Sequence, residues 1–444
     1  MRRQKSYDKS SLISKLFCSE HRYTTSTVLY SFVVLKLIAN IELQEDINMS
    51  LTNTPSANRL HIALFGRRNS GKSSLINAIT GQDIALVSEI PGTTTDPVYK
   101  AMELHPIGPV MFIDTAGFDD VGTLGEMRIE KTRKAIEKTD IAIVFFGDTE
   151  LSYEKEWTDE LREHNIPIVS IINKADILEN VTEIERAVKD TLELSPIIIS
   201  AKEKTGLDRV KDELVRLIPA DFEVKSITSH LVEEGDLVLL VMPQDIQAPK
   251  GRLILPQVQV IRDLLDNKCL VMSITTDKLD QALKSLAIPP KLIITDSQVF
   301  GKVYEKKPKE SLLTSFSVLL AEYKGDISAY VEGAGAIDTL TENSVVLIAE
   351  ACTHAPLSED IGRIQLPRLL RKKVGEGLKI DIVSGSDFPK DLAKYSLVIQ
   401  CGCCMFNRKY VLTRIAAAQA QNVKICNYGI AIAKMNGILD KIAL

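Results

Sequence analysis

Between residues 60 and 217, short and largely apolar runs alternate with longer segments whose apolar positions recur every three or four residues. The runs at 60–65, 110–113, 141–146, 167–172 and 196–200 predict strands. The segments near 71–80, 124–138, 153–164, 181–193 and 206–217 predict amphipathic helices. Such alternation predicts a parallel sheet covered by helices on both faces. Past Pro219 it resumes, with strands expected at 237–241, 292–295, 344–349 and 397–400 and helices at 256–266, 277–285 and 311–323. The Gly-rich stretch from Glu332 to Ala336 lacks a strand-to-helix frame, so it is expected to be a tight turn. The predicted fold class is α/β: a first domain at 49–220 with a parallel-type sheet, then two smaller α/β domains at 221–310 and 311–444. The charged stretch 306–310 marks the second boundary.

Residues 1–48 break the pattern. Their apolar stretch is interrupted by Lys36, is short for a membrane span, and is followed by no small-residue cleavage site. Met49 stands just ahead of the first strand, so 1–48 are expected to be a mis-called or disordered extension. A membrane anchor is the competing reading. The chain of 444 residues is 45% hydrophobic and 25% charged, proportions of a soluble globular protein. A formal net charge of -5 argues against nucleic acid as the main partner. Seven cysteines, an odd number over a long chain, point to a reducing cytoplasm and not to a secreted disulfide framework.

The chemistry of the first domain lies at its strand ends. Gly66, Arg67, Arg68, Asn69, Ser70, Gly71, Lys72 and Ser73 fit G-x-x-x-x-G-K-[ST] between a strand and a helix. Backbone amides there curl around phosphates, Lys72 reaches the β- and γ-phosphates, and Ser73 ligates Mg²⁺. Ser74 belongs to the same nucleotide-contacting turn. Asn173, Lys174, Ala175 and Asp176 read the base: the Asp176 carboxylate accepts from guanine and would be left unpaired by adenine. Ser200, Ala201 and Lys202 supply a supporting amide and a nearby side chain. Asp114 to Gly117 form the D-x-x-G that holds Mg²⁺ through water and senses the γ-phosphate. Thr94, within Thr93, Thr94, Thr95 and Asp96, is the candidate switch ligand to Mg²⁺. Phe118 stands where many small GTPases carry a water-orienting glutamine, so another residue or a cation must serve.

These features together resemble the potassium-activated GTPases related to Era and TrmE/MnmE. The resemblance implies that Asn69 ligates K⁺ and that Glu126 helps place the attacking water.

The last hundred residues carry soft ligands in two groups: Cys352 with His354, and Cys401, Cys403 and Cys404 after Gln400. Cys352 follows one predicted strand and Cys401 another, so adjacent parallel strand ends would bring the groups together. Zinc held by Cys352, His354, Cys401 and Cys404 and an iron–sulfur cluster both suit such ligands, and spacing does not choose between them.

The order of a GTPase domain, a middle domain and C-x-H before x-C-x-x-C-M-F-N-R resembles the HydF family of [FeFe]-hydrogenase maturation GTPases. The similarity spans 49–444. It implies a K⁺-stimulated GTPase, a dimerisation domain, and a [4Fe–4S] cluster on Cys352, Cys401 and Cys404. It further implies a cytoplasmic homodimeric scaffold that completes the diiron precursor of the H-cluster and delivers it to apo-[FeFe]-hydrogenase. The implied partners are two radical-SAM maturases, HydE and HydG, with no nucleic acid and no membrane.

Two positions depart from the family pattern: Gln400 replaces a histidine and Cys403 a glycine. With Gln400 the fourth iron is left open, or held by water or another residue, and Cys403 is either an alternative ligand or a small loop residue. His354 either ligates or donates a hydrogen bond. The alternative from another class is an Era/TrmE-like RNA- or ribosome-associated GTPase with a C-terminal zinc site. A third reading is a metal-trafficking GTPase.

Overall fold

The apolar runs become the strands of three separate sheets. The computed structural model describes residues 54–80, 97–115, 117, 123–219, 222, 225–243, 253–351 and 361–444. The expectation for residues 1–48 lies outside them. Thr54–Leu444 forms one compact unit.

The first sheet is built from β1 (Leu60–Phe65), α1 (Lys72–Thr80), β2 (Val98–Leu104), β3 (Gly108–Asp114), α2 (Thr123–Ile136) and β4 (Ile141–Phe146). It continues through α3 (Ser152–Glu163), β5 (Ile168–Ile172), α4 (Val181–Leu192), β6 (Ile197–Ile198) and α5 (Leu207–Arg216). Strand order is β2-β3-β1-β4-β5-β6. Every residue of β1 and β4 is buried, because helices cover both faces and leave two apolar layers. Helix α5 seals one layer with Leu207, Val210 and Leu214, a stripe at helical spacing.

The edge strand β2 was absent from the sequence expectation. It runs antiparallel to β3 with half its side chains in solvent, so it carries no continuous apolar run. The expected strand at 196–200 shrinks to β6, two residues long.

The middle sheet comprises β7 (Leu237–Val241), α6 (Leu255–Asp266), β8 (Leu270–Ile274), α7 (Leu279–Ser285), β9 (Leu292–Thr295), α8 (Phe300–Lys306) and β10 (Leu312–Ser315). Its order is β10-β9-β7-β8, all parallel. The helix expected over 311–323 begins later, as α9 (Phe316–Lys324), because Leu312 to Ser315 pair with β9. The sheet therefore continues beyond the charged stretch 306–310.

The last sheet contains α10 (Ile327–Gly335), β11 (Val345–Glu350), α11 (Leu366–Val374), β12 (Lys379–Ser384), β13 (Leu397–Gln400), α12 (Arg408–Ala420), β14 (Lys424–Asn427) and α13 (Tyr428–Met435). Its order is β12-β11-β13-β14, again parallel. The Gly-rich stretch expected as a turn is the end of α10 and its following turn. Gly333 is there because a Cβ would lie 1.9 Å from the Ile425 carbonyl oxygen of β14. Helix α9 is apolar nearly all round: Phe316 and Leu319 face the middle domain's core, while Val318 and Ala321 join a second core shared with the last sheet.

Candidate functional site

The nucleotide motifs close on one another at the carboxyl ends of the first sheet's strands. Gly71 has φ +92°, and a Cβ there would lie 2.1 Å from Asn173 Nδ2. Glycine thus lets the Asn173 amide donate to the Ser70 carbonyl at 3.0 Å. The same side chain accepts from Ala201 N at 3.0 Å, so Asn173 ties the phosphate loop to both segments expected to read the base. The buried Lys72 ammonium donates to the carbonyls of Gly66 at 2.8 Å and Arg67 at 3.1 Å. Ser73 Oγ donates to Asp114 Oδ2 at 2.5 Å, which joins the two groups expected around Mg²⁺. The Ser70 hydroxyl is buried with no hydrogen-bond partner among the described residues. Asn69 is exposed with φ +59°, and Ser74 lies half-buried in the first turn of α1.

On the base side, Asp176 is exposed and accepts from Ser200 Oγ at 2.6 Å. That hydroxyl holds the Asp176 carboxyl below the usual carboxylate range. Lys174 adopts φ +63°, and Lys202 lies largely in solvent, 3.8 Å from Glu203. Gly117 lies beyond the end of β3. Thr94 and Phe118 lie outside the described residues. Glu126 is on α2, with its side chain outside them.

The cysteine loop forms at the end of β13. Parallel pairing sets Ala349 of β11 opposite Gln400, so the segment leading into Cys352 runs beside Cys401. Ala351 N donates to Cys401 Sγ at 3.1 Å, and Cys403 N donates to it at 3.4 Å. The Cys403 side chain, and then these two amides, draw the Cys401 thiol below the ordinary thiol range against the effect of burial. Cys403 is buried at φ +51°, a conformation that glycine adopts without strain. Its Sγ donates to Cys401 O at 3.2 Å, and its thiol is pushed up by its contact with Cys401 and by burial. Gln400 is wholly buried and its amide donates to the Tyr330 hydroxyl on α10, so its side chain belongs to the core.

The pattern of residues did not signal three participants: Ala351, Tyr330 and Lys324. The Lys324 ammonium is buried and donates to the carbonyls of Cys404 at 3.2 Å and Phe406 at 2.8 Å. Burial pushes it down to about 8, opposed by Cys404, Cys403 and Cys401. At the end of a helix a lysine reads as a solvated residue, and only tertiary packing puts it inside.

Cys352 and His354 lie outside the described residues. Among the described residues no group of three or more His, Cys, Asp or Glu is placed to hold a metal ion. The donor chemistry of Cys401 and Cys404 fits an iron–sulfur cluster: soft sulfur ligands, one of them receiving two backbone N–H groups.

Residues 227–325 match the hydrogen maturase F dimerization domain, and residues 328–443 match the hydrogen maturase F tetramerization domain. Residues 61–174 match the 50S ribosome-binding GTPase family. The chain belongs to the hydrogen maturase F family. The chain also has relatives among other GTPase families. It is 32% identical over 183 residues to the tRNA modification GTPase MnmE of Paraburkholderia xenovorans (strain LB400), covering 41% of this chain and 39% of that one. It is 29% identical over 188 residues to GTPase Der of Wolinella succinogenes, covering 40% and 39%. The chain thus spans about 39% of the length of these curated relatives. Among solved structures it is similar to NFeoB from S. thermophilus bound to GDP·AlF4⁻ and K⁺, at 24% identity and a TM-score of 0.29, covering 35% of this chain and 61% of that one. No helix among the described residues is long and apolar enough to cross a membrane.

Proposed function

We propose that this hydrogen maturase F chain is a GTP-hydrolysing scaffold that carries a [4Fe–4S] cluster and delivers the diiron H-cluster precursor to apo-[FeFe]-hydrogenase. One observation carries the reading: the strand end before Cys352 meets the Cys401 sulfur, through Ala351 N, in a family-specific domain on the same chain as a guanine-nucleotide pocket. Cys352, Cys401 and Cys404 would hold the cluster, which supplies an iron position to which the incoming precursor attaches. The amides of Ala351 and Cys403 favour the Cys401 thiolate, and Lys324 fixes the carbonyls of the loop behind it. Gln400 would not ligate, because its side chain is wholly buried on β13 with its amide nitrogen donating to the Tyr330 hydroxyl.

In the first domain, Lys72, Ser73, Thr94 and Asp114 would hold GTP·Mg²⁺, and Asp176 would read guanine. Asn69 would hold K⁺, and Glu126 would orient water. HydE, HydG and the hydrogenase are the proposed partners, in the cytoplasm, with no nucleic acid and no membrane involved. The proposed oligomer is a homodimer through the middle domain. One outer edge of its sheet is occupied, since Ala443 N donates to Leu313 O of β10 at 2.8 Å. The β8 edge pairs with no further strand among the described residues and exposes Leu270.

Anaerobic reconstitution of the full chain, followed by iron, sulfide and zinc analysis, tests the proposal. About four irons and four sulfides per chain are expected. Cys401→Ser and Cys404→Ser should lose iron, while Cys403→Gly should retain it. One zinc with no sulfide would overturn the carrier reading.

A further inference from the structure

The cysteine loop is bound to the GTPase domain as well as to its own sheet. Asn407 follows the loop by three residues and caps α12, its Oδ1 accepting from Tyr410 N at 3.3 Å. The other end of the same amide leaves its domain. Nδ2 donates to Lys138 O at 2.7 Å and lies 3.3 Å from Asp140 Oδ2. Asp140 Oδ2 also accepts from His61 N at 2.8 Å, on the strand that leads into the phosphate loop. Lys138 lies just beyond α2, the helix that follows Asp114 and Gly117. That helix has 14 residues, so it spans about 21 Å between the γ-phosphate sensor and the contact.

Further contacts widen the seam. Lys409 Nζ donates to His164 O at 2.8 Å, and Thr413 Oγ1 donates to Glu137 O at 3.4 Å. The Lys138 ammonium stands 5.1 Å from the centre of the Tyr410 ring. On the other side of the loop, Lys324 clamps the carbonyls of Cys404 and Phe406. The residues between Cys404 and Asn407 are therefore fixed at one end to α9 and at the other to the end of α2. A displacement of α2 has few ways to be absorbed before it reaches Cys404, because packed elements respond by discrete shifts.

We infer that Asn407 is a positioning residue through which the far end of α2 sets the geometry of the Cys401 to Cys404 loop, so that nucleotide state changes access to those two sulfurs. This rests on the proposed GTP-controlled scaffold and names its route.

The test uses the full chain, reduced and without iron. Alkylation rates at Cys401 and Cys404 are read by peptide mass spectrometry with GDP·Mg²⁺ and with a non-hydrolysable GTP analogue, and the buried Cys269 reports global opening. The wild-type rates at Cys404 should differ between nucleotides by at least about fivefold, the low end of ordinary coupling between sites. Asn407→Asp keeps the helix-capping acceptor but loses the donor to Lys138 O and meets the Asp140 carboxylate. It should bring the ratio close to unity while GTP affinity and hydrolysis stay at wild-type levels. A purely structural capping role predicts an unchanged ratio in this variant. That result, or equal rates in the wild type, overturns the inference. If Asn407→Asp does not fold, Asn407→Ser takes its place, since it keeps a capping oxygen and loses the Nδ2 donor: a ratio near unity supports the relay, and an unchanged ratio overturns it. Cluster content is measured separately on reconstituted wild-type protein. A chain without iron refutes the carrier reading and leaves the relay standing, whereas a loaded chain with insensitive sulfurs does the reverse.

Discussion

A single hydroxyl prepares the residue proposed to read the base. Ser200 Oγ donates to Asp176 and keeps its carboxylate ionised and oriented while exposed. Asp176→Ala should weaken GTP binding by on the order of a hundredfold and leave weak ATP binding unchanged, as measured by nucleotide titration. His61 offers a pH test in the same domain. It is buried on β1, its Nδ1 lies 3.1 Å from Lys138 O, and burial lowers it from 6.5 to about 4. The Lys138 and Lys324 ammonium groups lower it further, and Asp140 lies on the backbone side of the same residue. Folded His61 therefore stays neutral while the unfolded chain takes up a proton, so stability falls as pH drops from 6.5 towards 4. The loss is about 1.4 kcal/mol per pH unit across that window. His61→Gln should lack this increment, and urea unfolding of both proteins at pH 6.5 and pH 5 measures it. The positions of Asp176 and Lys72 beyond strand ends were legible in the sequence because motif and strand end coincide there, and their roles are proposed. The state of His61 was not, since one histidine in an apolar strand does not say what surrounds it.

At the scale of elements, local periodicity carried most of the prediction and failed where neighbours decided. The central strands β1, β4, β7 and β13 appear where the apolar runs placed them, because both of their faces are buried. The edge strand β2 and the start of β10 have no such run, and pairing with β3 and β9 defines them. The end of α10 is the clearest reversal. Gly333, which favours a turn in isolation, is used there for contact between a helix and β14. Gly333→Ala would push a methyl against the Ile425 carbonyl, so the domain should lose about 1–3 kcal/mol through displaced packing. Thermal unfolding of the full chain checks this, with Gly335→Ala as the control, since a Cβ at Gly335 meets nothing within 4 Å.

At the scale of the whole molecule, the middle domain is asymmetric in what it leaves open. Ala443 covers β10, whereas β8 presents Leu270 at 59% exposure along an edge that no other described strand pairs. A second copy pairing along β8 would give a solution mass of twice the 49.2 kDa chain. Leu270→Asp should lower the solution mass in light scattering by half, with the GTPase activity of the first domain retained. An unchanged mass would exclude this edge as the interface. The core shared between the middle and last sheets, through α9, makes these two domains a joint platform for the cysteine loop.

The sequence alone marked the candidate chemistry of this protein. Motif spacing pointed to a guanine-nucleotide pocket, and clustered cysteines pointed to a candidate soft-ligand site, because both readings depend on residues close together in the chain. Only the tertiary structure decided how those groups are held. It packed Gln400 into the core against α10, buried Lys324 behind the cysteine loop, and joined Asn407 to the GTPase domain. Each of these contacts links residues far apart in sequence, and the energy that favours it exists only once the three sheets have packed together. Periodicity reports which face of an element is buried, and it carries no record of the neighbour that buries it.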